Sequence, residues 1–203
     1  MVCERQEEGA KSMEYLVVDV GGSAIKYAVM DDSFSIKGQG TRGGRPDSHD
    51  AFVDAICDLY AQASAPQGGI AISYCGEVDE ALGEVLAGGS YQYNAGTNLK
   101  SELEGRLVCP VSIENDGNCA ALAELAAGSL RGRRNAVVIV VGTGLGGGII
   151  IDDKVYHGSH KFSGGFSLLT TSLEADLGDC HGYTDAPVVK PSSPNRNGLA
   201  RSP

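Results

Sequence analysis

The sequence contains one short unit twice. Leu16 to Asp32 (LVVDVGGSAIKYAVMDD) and Val137 to Asp153 (VVIVVGTGLGGGIIIDD) superpose at an offset of 121, so Gly21 falls on Gly142, Ala28-Val29-Met30 on Ile149-Ile150-Ile151, and Asp31-Asp32 on Asp152-Asp153. Each copy runs from an apolar β-branched stretch through a glycine bend into a second such stretch and an acidic turn, the pattern of an antiparallel hairpin. This excludes two other readings of glycine-rich sequence. A dinucleotide-binding or Walker-type loop must run into a helix whose N-terminus holds phosphate. Here IKYAVM and GGIIID continue as strands, and GTGLGGG lacks the Lys-Ser/Thr of a P-loop. Glycines also bend strands for purely geometric reasons, but two bends of one design suggest backbone N–H groups converging on the phosphates of one nucleotide.

The copies differ where Asp19 corresponds to Val140. A lone acid in LVVDVGG is costly to enclose unless it is paired, hydrogen-bonded or near a cation. Asp19 is therefore a candidate for holding Mg2+ through water, with turn capping as the alternative. Between the hairpins the pattern alternates. Ala51 to Ala63 places Phe52, Ile56, Leu59 and Tyr60 on one helical face, Gly68 to Tyr74 reads as a buried strand, and Leu99 to Leu107 as a short helix. Pro110 to Asn115 reads as a strand, and Gly117 to Gly128 as a helix with Leu122, Leu125 and Ala126 inward. Such a series implies a mixed sheet with helices on its faces. Asn115-Asp116 then lies at the carboxyl end of a strand, where open α/β sheets bind ligands. Asp and Asn are equally preferred as helix caps, so residue type alone does not separate a capping Asp116 from a chemical one.

Sixteen Lys and Arg against 26 Asp and Glu give a formal charge of -10. The one basic run, Arg131-Gly132-Arg133-Arg134, is expected to serve the preceding helix's last carbonyls and the solvent, so a nucleic-acid surface is not expected. The six cysteines form no CxxC pair, which suggests reduced thiols and a cytoplasmic protein. No run approaches the roughly 20 apolar residues of a membrane span, and none is expected.

The phrases VVDVGGSAIKYAV, NAGTNL, VSIENDGNCAALAE and VGTGLGGGIIIDDKVYHG, in that order, resemble the ROK family (repressors, open reading frames and sugar kinases), in particular its glucokinases and β-glucoside kinases. The resemblance covers roughly Glu14 to Leu169. It implies an α/β, actin-like ATPase (RNase H-like) fold, ATP with Mg2+, and transfer of the γ-phosphate to a hexose hydroxyl. By matching position it assigns Asp19, Gly21, Gly22 and Lys26 to a first phosphate motif and Gly142, Thr143 and Gly144 to a second. It also assigns Asn98 and Asn115 to sugar hydroxyls, and Asp116 to the base. A carboxylate within hydrogen-bond reach suits that role, because a sugar hydroxyl is a poor nucleophile until its proton is accepted.

The sequence departs from the family pattern in three places. The family's Gly-Glu-x-Gly-His phrase is replaced by Gly164-Gly165-Phe166-Ser167-Leu168, so Gly165 stands for the sugar-binding Glu and Leu168 for the His. The family's cysteine cluster is absent, and an adjacent Cys180-His181 pair cannot close a zinc site; no zinc is expected. His157 and His160 read as surface residues or as residues that orient others. About 100 residues follow the first hairpin before the second begins, and 50 follow Asp153. The expected organisation is an N-terminal extension (1–13), a complete first lobe with the sugar site (14–130), a shortened second lobe with the second phosphate hairpin (131–180), and a Pro-rich disordered tail (181–203). The function expected is phosphorylation of a hexose or hexose derivative. The alternatives are a non-catalytic sugar-binding or regulatory protein and an inactive truncated paralogue. A homodimer is left open.

Overall fold

The computed structural model describes residues 12–142 and 144–166. Thr143, the segments 1–11 and 167–203, and with them the expectations for Leu168, Cys180, His181 and the tail, lie outside the described residues.

The first hairpin forms as expected. Strands β1 (Glu14–Val20) and β2 (Ala24–Asp31) pair antiparallel, and β3 (Ile36–Gly43) adds a further antiparallel edge. Helix α1 (His49–Gln62) then crosses to β4 (Ile70–Tyr74), which lies parallel to β1. A small hairpin of β5 (Glu77–Asp79) and β6 (Glu84–Ala87) and helix α2 (Leu99–Leu107) lead to β7 (Val111–Asn115), parallel to β4. The sheet order β3-β2-β1-β4-β7 brings Val20, Tyr74 and Asn115 into register at one edge. Three strand ends of one polarity therefore meet there, with helix α3 (Asp116–Ala126) leaving from the last.

The core lies on the α1 side. Leu16, Val18 and Val20 of β1 and Ile70, Ile72 and Tyr74 of β4 are buried against Phe52, Ile56, Leu59 and Tyr60 of α1, the face foreseen from the sequence. Each such apolar side chain contributes about 1.5–3 kcal/mol when fully buried. Phe52, Tyr74 and Tyr91 meet with ring centroids 5.3–6.3 Å apart, an arrangement that favours edge contacts. Ser48 caps α1 by accepting from the Ala51 N–H.

The inward face expected for the third helix is not the one observed. Leu122 is exposed, Leu125 partly exposed and Ala126 exposed, whereas Gly117, Asn118 and Ala121 are buried. The cause is the packing partner. Helix α3 lies on the glycines of β9, so close that a Cβ on Gly148 would come 2.7 Å from Ala121 Cβ, and only small residues fit between. The basic run is corrected as well. The last turn of α3 holds no basic residue, and Arg134 instead pairs with Asp152 (2.7 Å) and Asp153 (3.5 Å).

The second hairpin, β8 (Ala136–Val141) with β9 (Leu145–Ile151), carries the short strand β10 (Lys154–Val155) on its far edge. Its bend is one residue shorter than the first, so the pairing slips by one. Val17 faces Ala28, whereas its counterpart Val138 faces Gly148. Leu16, Val18 and Val20 are fully buried, and at offset 121 they become Val137, Ile139 and Val141, which are 58, 62 and 74 % exposed. Among the described residues no strand pairs with the outer edge of β8 and no helix covers this face, as β4 and α1 do for β1.

Candidate active site

Asp19 lies one residue before the end of β1, opposite Lys26 on β2 and Ser73 on β4. Its neighbours Val18 and Val20 point into the core, so Asp19 projects from the other face, where Ser73 Oγ donates to its Oδ1 at 3.2 Å. Lys26 Nζ stands 3.8 Å from Oδ2 on largely exposed side chains, a contact that water and salt weaken. Asp19 and Lys26 also line a cavity of about 440 Å3 with Tyr27, Gln39 and Thr41.

The elbow from β7 into α3 separates the two roles that sequence left open. Asn115 is the N-cap: its Oδ1 accepts from the N–H groups of Gly117 (2.9 Å) and Asn118 (3.2 Å), and its Nδ2 donates to Gly76 O. Asp116 is the first helical residue and is not needed as a cap. Its Oδ1 accepts from Gly117 N–H at 2.8 Å, and one side of the residue stays open to solvent. Burial raises its carboxyl above the ordinary carboxylate value, the Gly117 N–H opposes this, and the negative charge of Asp19 adds to the rise. The two carboxylates, at the carboxyl ends of β1 and β7, thus lie near enough for the charge of one to act on the other. Cys75 and Cys119 feel the Asp116 charge from beneath, and burial pushes the Cys119 thiol up to about 12. Both are free thiols held neutral.

Each glycine bend is closed by a main-chain bond, Gly21 N–H donating to Ala24 O three residues on (3.1 Å) and Gly142 N–H to Gly144 O two residues on (2.9 Å). In the first bend no described residue accepts from the N–H groups of Gly22 or Ser23, and Tyr91 Oη anchors the bend through Gly21 O. Asn98 stands at the start of α2. It caps α2 by accepting from Ser101 N–H and donates to Leu82 O, so both ends of its amide are engaged.

Gly165 lies under Phe162, whose ring carbons would stand 2.7–2.9 Å from a Cβ at that position. His160 is exposed, but His157 is not a simple surface residue, since its Nε2 bonds to Glu114 Oε2 at 2.8 Å. Ser73 and Glu114 went unnoticed in the sequence. Ser73 is a polar residue on an otherwise apolar strand, the signal that drew attention to Asp19, whereas Glu114 shares its strand with Ser112 and Asn115. Among the described residues, no three His, Cys, Asp or Glu side chains gather as a metal cluster.

The profile of the ROK family matches residues 15–181. The β-glucoside kinase of Klebsiella pneumoniae is 31 % identical over 159 residues, covering 78 % of this chain and 53 % of that protein. Among solved structures, a ROK family glucokinase from Streptomyces griseus in complex with glucose and AMPPNP superposes with a TM-score of 0.69 at 32 % identity, over 78 % of this chain and 51 % of the other. A ROK family transcriptional regulator, a homologue of the E. coli MLC protein, superposes with a TM-score of 0.73 at 23 % identity, over 84 % and 44 %; this likeness shows the fold alone. The chain spans about half the length of the curated relatives it matches, and its fold is that of the actin-like sugar kinases.

Proposed function

The chain belongs to the ROK family, and on that footing we propose that it takes part in the ATP-dependent phosphorylation of a hexose or hexose derivative, with Asp116 as the base for the acceptor hydroxyl. The observation that carries this reading is that Asp116, relieved of capping by Asn115, stands at the carboxyl end of its strand within reach of the Asp19 charge.

Asp116 Oδ1 is held by Gly117 N–H, which leaves Oδ2 to accept the hydroxyl proton as the oxygen–phosphorus bond forms. A carboxyl raised by partial desolvation and by the Asp19 charge retains that proton better than an unperturbed one. The N–H groups of Gly22 and Ser23, which no described main-chain oxygen accepts from, would receive phosphate oxygens. The bend of Gly142 and Gly144 would approach from the second hairpin, and Lys26 adds positive charge. The donor set fits Mg2+ held through water: one half-exposed carboxylate, Asp19, with no cluster of further protein ligands among the described residues, and Mg2+ keeps most of its waters and binds through one or two carboxylates. When bound, ATP supplies the γ-phosphoryl group and Mg2+ disperses its charge.

Asn115 and Asn98 are the residues expected to meet the sugar hydroxyls. Both amides are engaged in capping, so a hydroxyl would be met by the remaining lone pairs of their oxygens. A second reading, sugar binding without turnover, is favoured by Gly165, which removes a carboxylate acceptor from the expected sugar contacts. A coupled assay of ADP formation with glucose, N-acetylmannosamine and a β-glucoside separates the two. Hexose-dependent ADP release supports the kinase, whereas calorimetric binding of a hexose with no ADP release supports the second reading and overturns the first.

A further inference from the structure

Glu114 is a charged residue in the partly apolar strand β7. Val111 and Ile113 turn into the core, and Glu114 lies on the opposite face with 15 % of its side chain exposed. A carboxylate so enclosed needs donors, and three converge on it: Asn115 N–H at 2.8 Å, Asn118 Nδ2 at 2.9 Å and His157 Nε2 at 2.8 Å. The first two belong to the elbow that presents Asp116. The third comes from the loop after β10. His157 Nδ1 in turn stands 3.6 Å from Glu80 Oε1, and Lys161 grips both Glu80 oxygens at 2.9 and 3.0 Å and stands 3.5 Å from Asp79. The loop is therefore stapled both to the elbow and to the turn of the β5–β6 hairpin.

We infer that Glu114 and His157 form a clasp, and that both are positioning residues for Asp116; the inference rests on the kinase reading. Asp116 is held by Gly117 N–H and by the adjacent Asn115 side chain, so its direction follows the main chain from Asn115 to Gly117. That main chain is held by the Asn115 cap and by Glu114. Asn118 makes the arrangement sensitive. It is 2 % exposed, its Oδ1 has no partner among the described residues, and its side chain depends on the single bond to Glu114. Removing the imidazole takes one of three donors from an enclosed charge. The cheapest response is for Glu114 to swing toward water, which releases Asn118 Nδ2 and Asn115 N–H together and loosens the turn that aims Asp116. Through His157, the second hairpin's loop is thus coupled to the proton acceptor of the first lobe.

The test compares His157→Ala, His157→Gln, Glu114→Gln and the double variant His157→Ala/Glu114→Gln. His157→Ala is expected to lower kcat about tenfold to a hundredfold, the range of one charge-assisted hydrogen bond, with KM for ATP unchanged. His157→Gln, which keeps a donor near the Nε2 position, recovers most of it. The double variant is no worse than the worse single variant, because both break one contact. Hydrogen exchange in the segment 114–122 rises in His157→Ala and not in His157→Gln. Full kcat in His157→Ala beside an inactive Asp116→Asn overturns the clasp, as do additive losses in the double variant. Should the wild-type chain show no turnover, the kinase reading fails by itself. The exchange measurement then still decides the clasp, since unchanged protection of 114–122 in His157→Ala refutes it.

Discussion

Consider replacing Gly165 by Glu, which introduces the carboxylate that the family resemblance leads one to expect at this point. A carboxylate meeting a sugar hydroxyl is worth about 1.5–3 kcal/mol. The new Cβ, however, would lie 2.7–2.9 Å from Cζ, Cε1 and Cε2 of Phe162, closer than carbon atoms pack, and the half-buried ring must shift. Overpacking of this kind costs about 1–3 kcal/mol. The free protein escapes this strain by turning the new side chain outward together with its main chain, and sugar binding must restore it; the two terms are of similar size, so Gly165→Glu alone should change hexose affinity by less than about threefold. Shortening the obstacle separates them. Gly165→Glu combined with Phe162→Ala should bind hexose about tenfold or more tighter than Phe162→Ala by itself. Calorimetric titration of the four proteins with glucose and a β-glucoside reads this directly. A tenfold gain from Gly165→Glu alone would show that Phe162 is no barrier. No gain in the double variant would show that residue 165 does not face the sugar, and the reasoning about this loop would fail.

Two further outcomes concern packing and pH. Gly117→Ala puts a methyl 2.3 Å from Gly147 O and 2.7 Å from Gly147 N, both main-chain atoms that cannot rotate aside. It should cost about 1–3 kcal/mol and lower Tm by roughly 2–12 °C, although alanine is the better helix former; a thermal melt with unchanged Tm contradicts the tight α3–β9 seam. His49 sits between Asn94 Oδ1 (2.8 Å) and Glu102 Oε2 (2.7 Å). Burial disfavours its charged form, but these acceptors outweigh burial and hold its pKa above the ordinary 6.5. A folded pKa above the unfolded one stabilises fully below pH 6.5, and the contribution disappears as pH rises through the raised value. The Tm difference between wild type and His49→Gln should therefore be larger at pH 5.5 than at pH 9; a pH-independent difference contradicts the charged His49.

What could be read from the sequence, and what could not, follows physical lines. The two hairpins were legible because β-branched runs broken by glycine admit few other conformations, and the α1 face because Phe52, Ile56, Leu59 and Tyr60 recur at helical spacing. Strand β3 was not foreseen. IKGQGTRG has no apolar alternation, is mostly exposed, and is held by main-chain pairing to β2. The inward face of α3 misled because the usual rule, large apolar residues inside, inverts when the partner surface is made of Gly147 and Gly148. Asn115 and Asp116 could not be told apart locally, since the cap is decided by which oxygen reaches the Gly117 and Asn118 N–H groups. Glu114 and His157 are 43 residues apart, and only the folded chain brings them together.

The central claim is that Asp116 accepts the proton of a hexose hydroxyl. Comparing wild type with Asp116→Asn, in kcat for hexose phosphorylation and in hexose dissociation constant, tests it most directly. Asparagine preserves shape and the Gly117 contact but removes the basic oxygen, so kcat should fall about 100-fold or more while hexose affinity changes only a few-fold. Phosphorylation at the wild-type rate by Asp116→Asn would contradict the account.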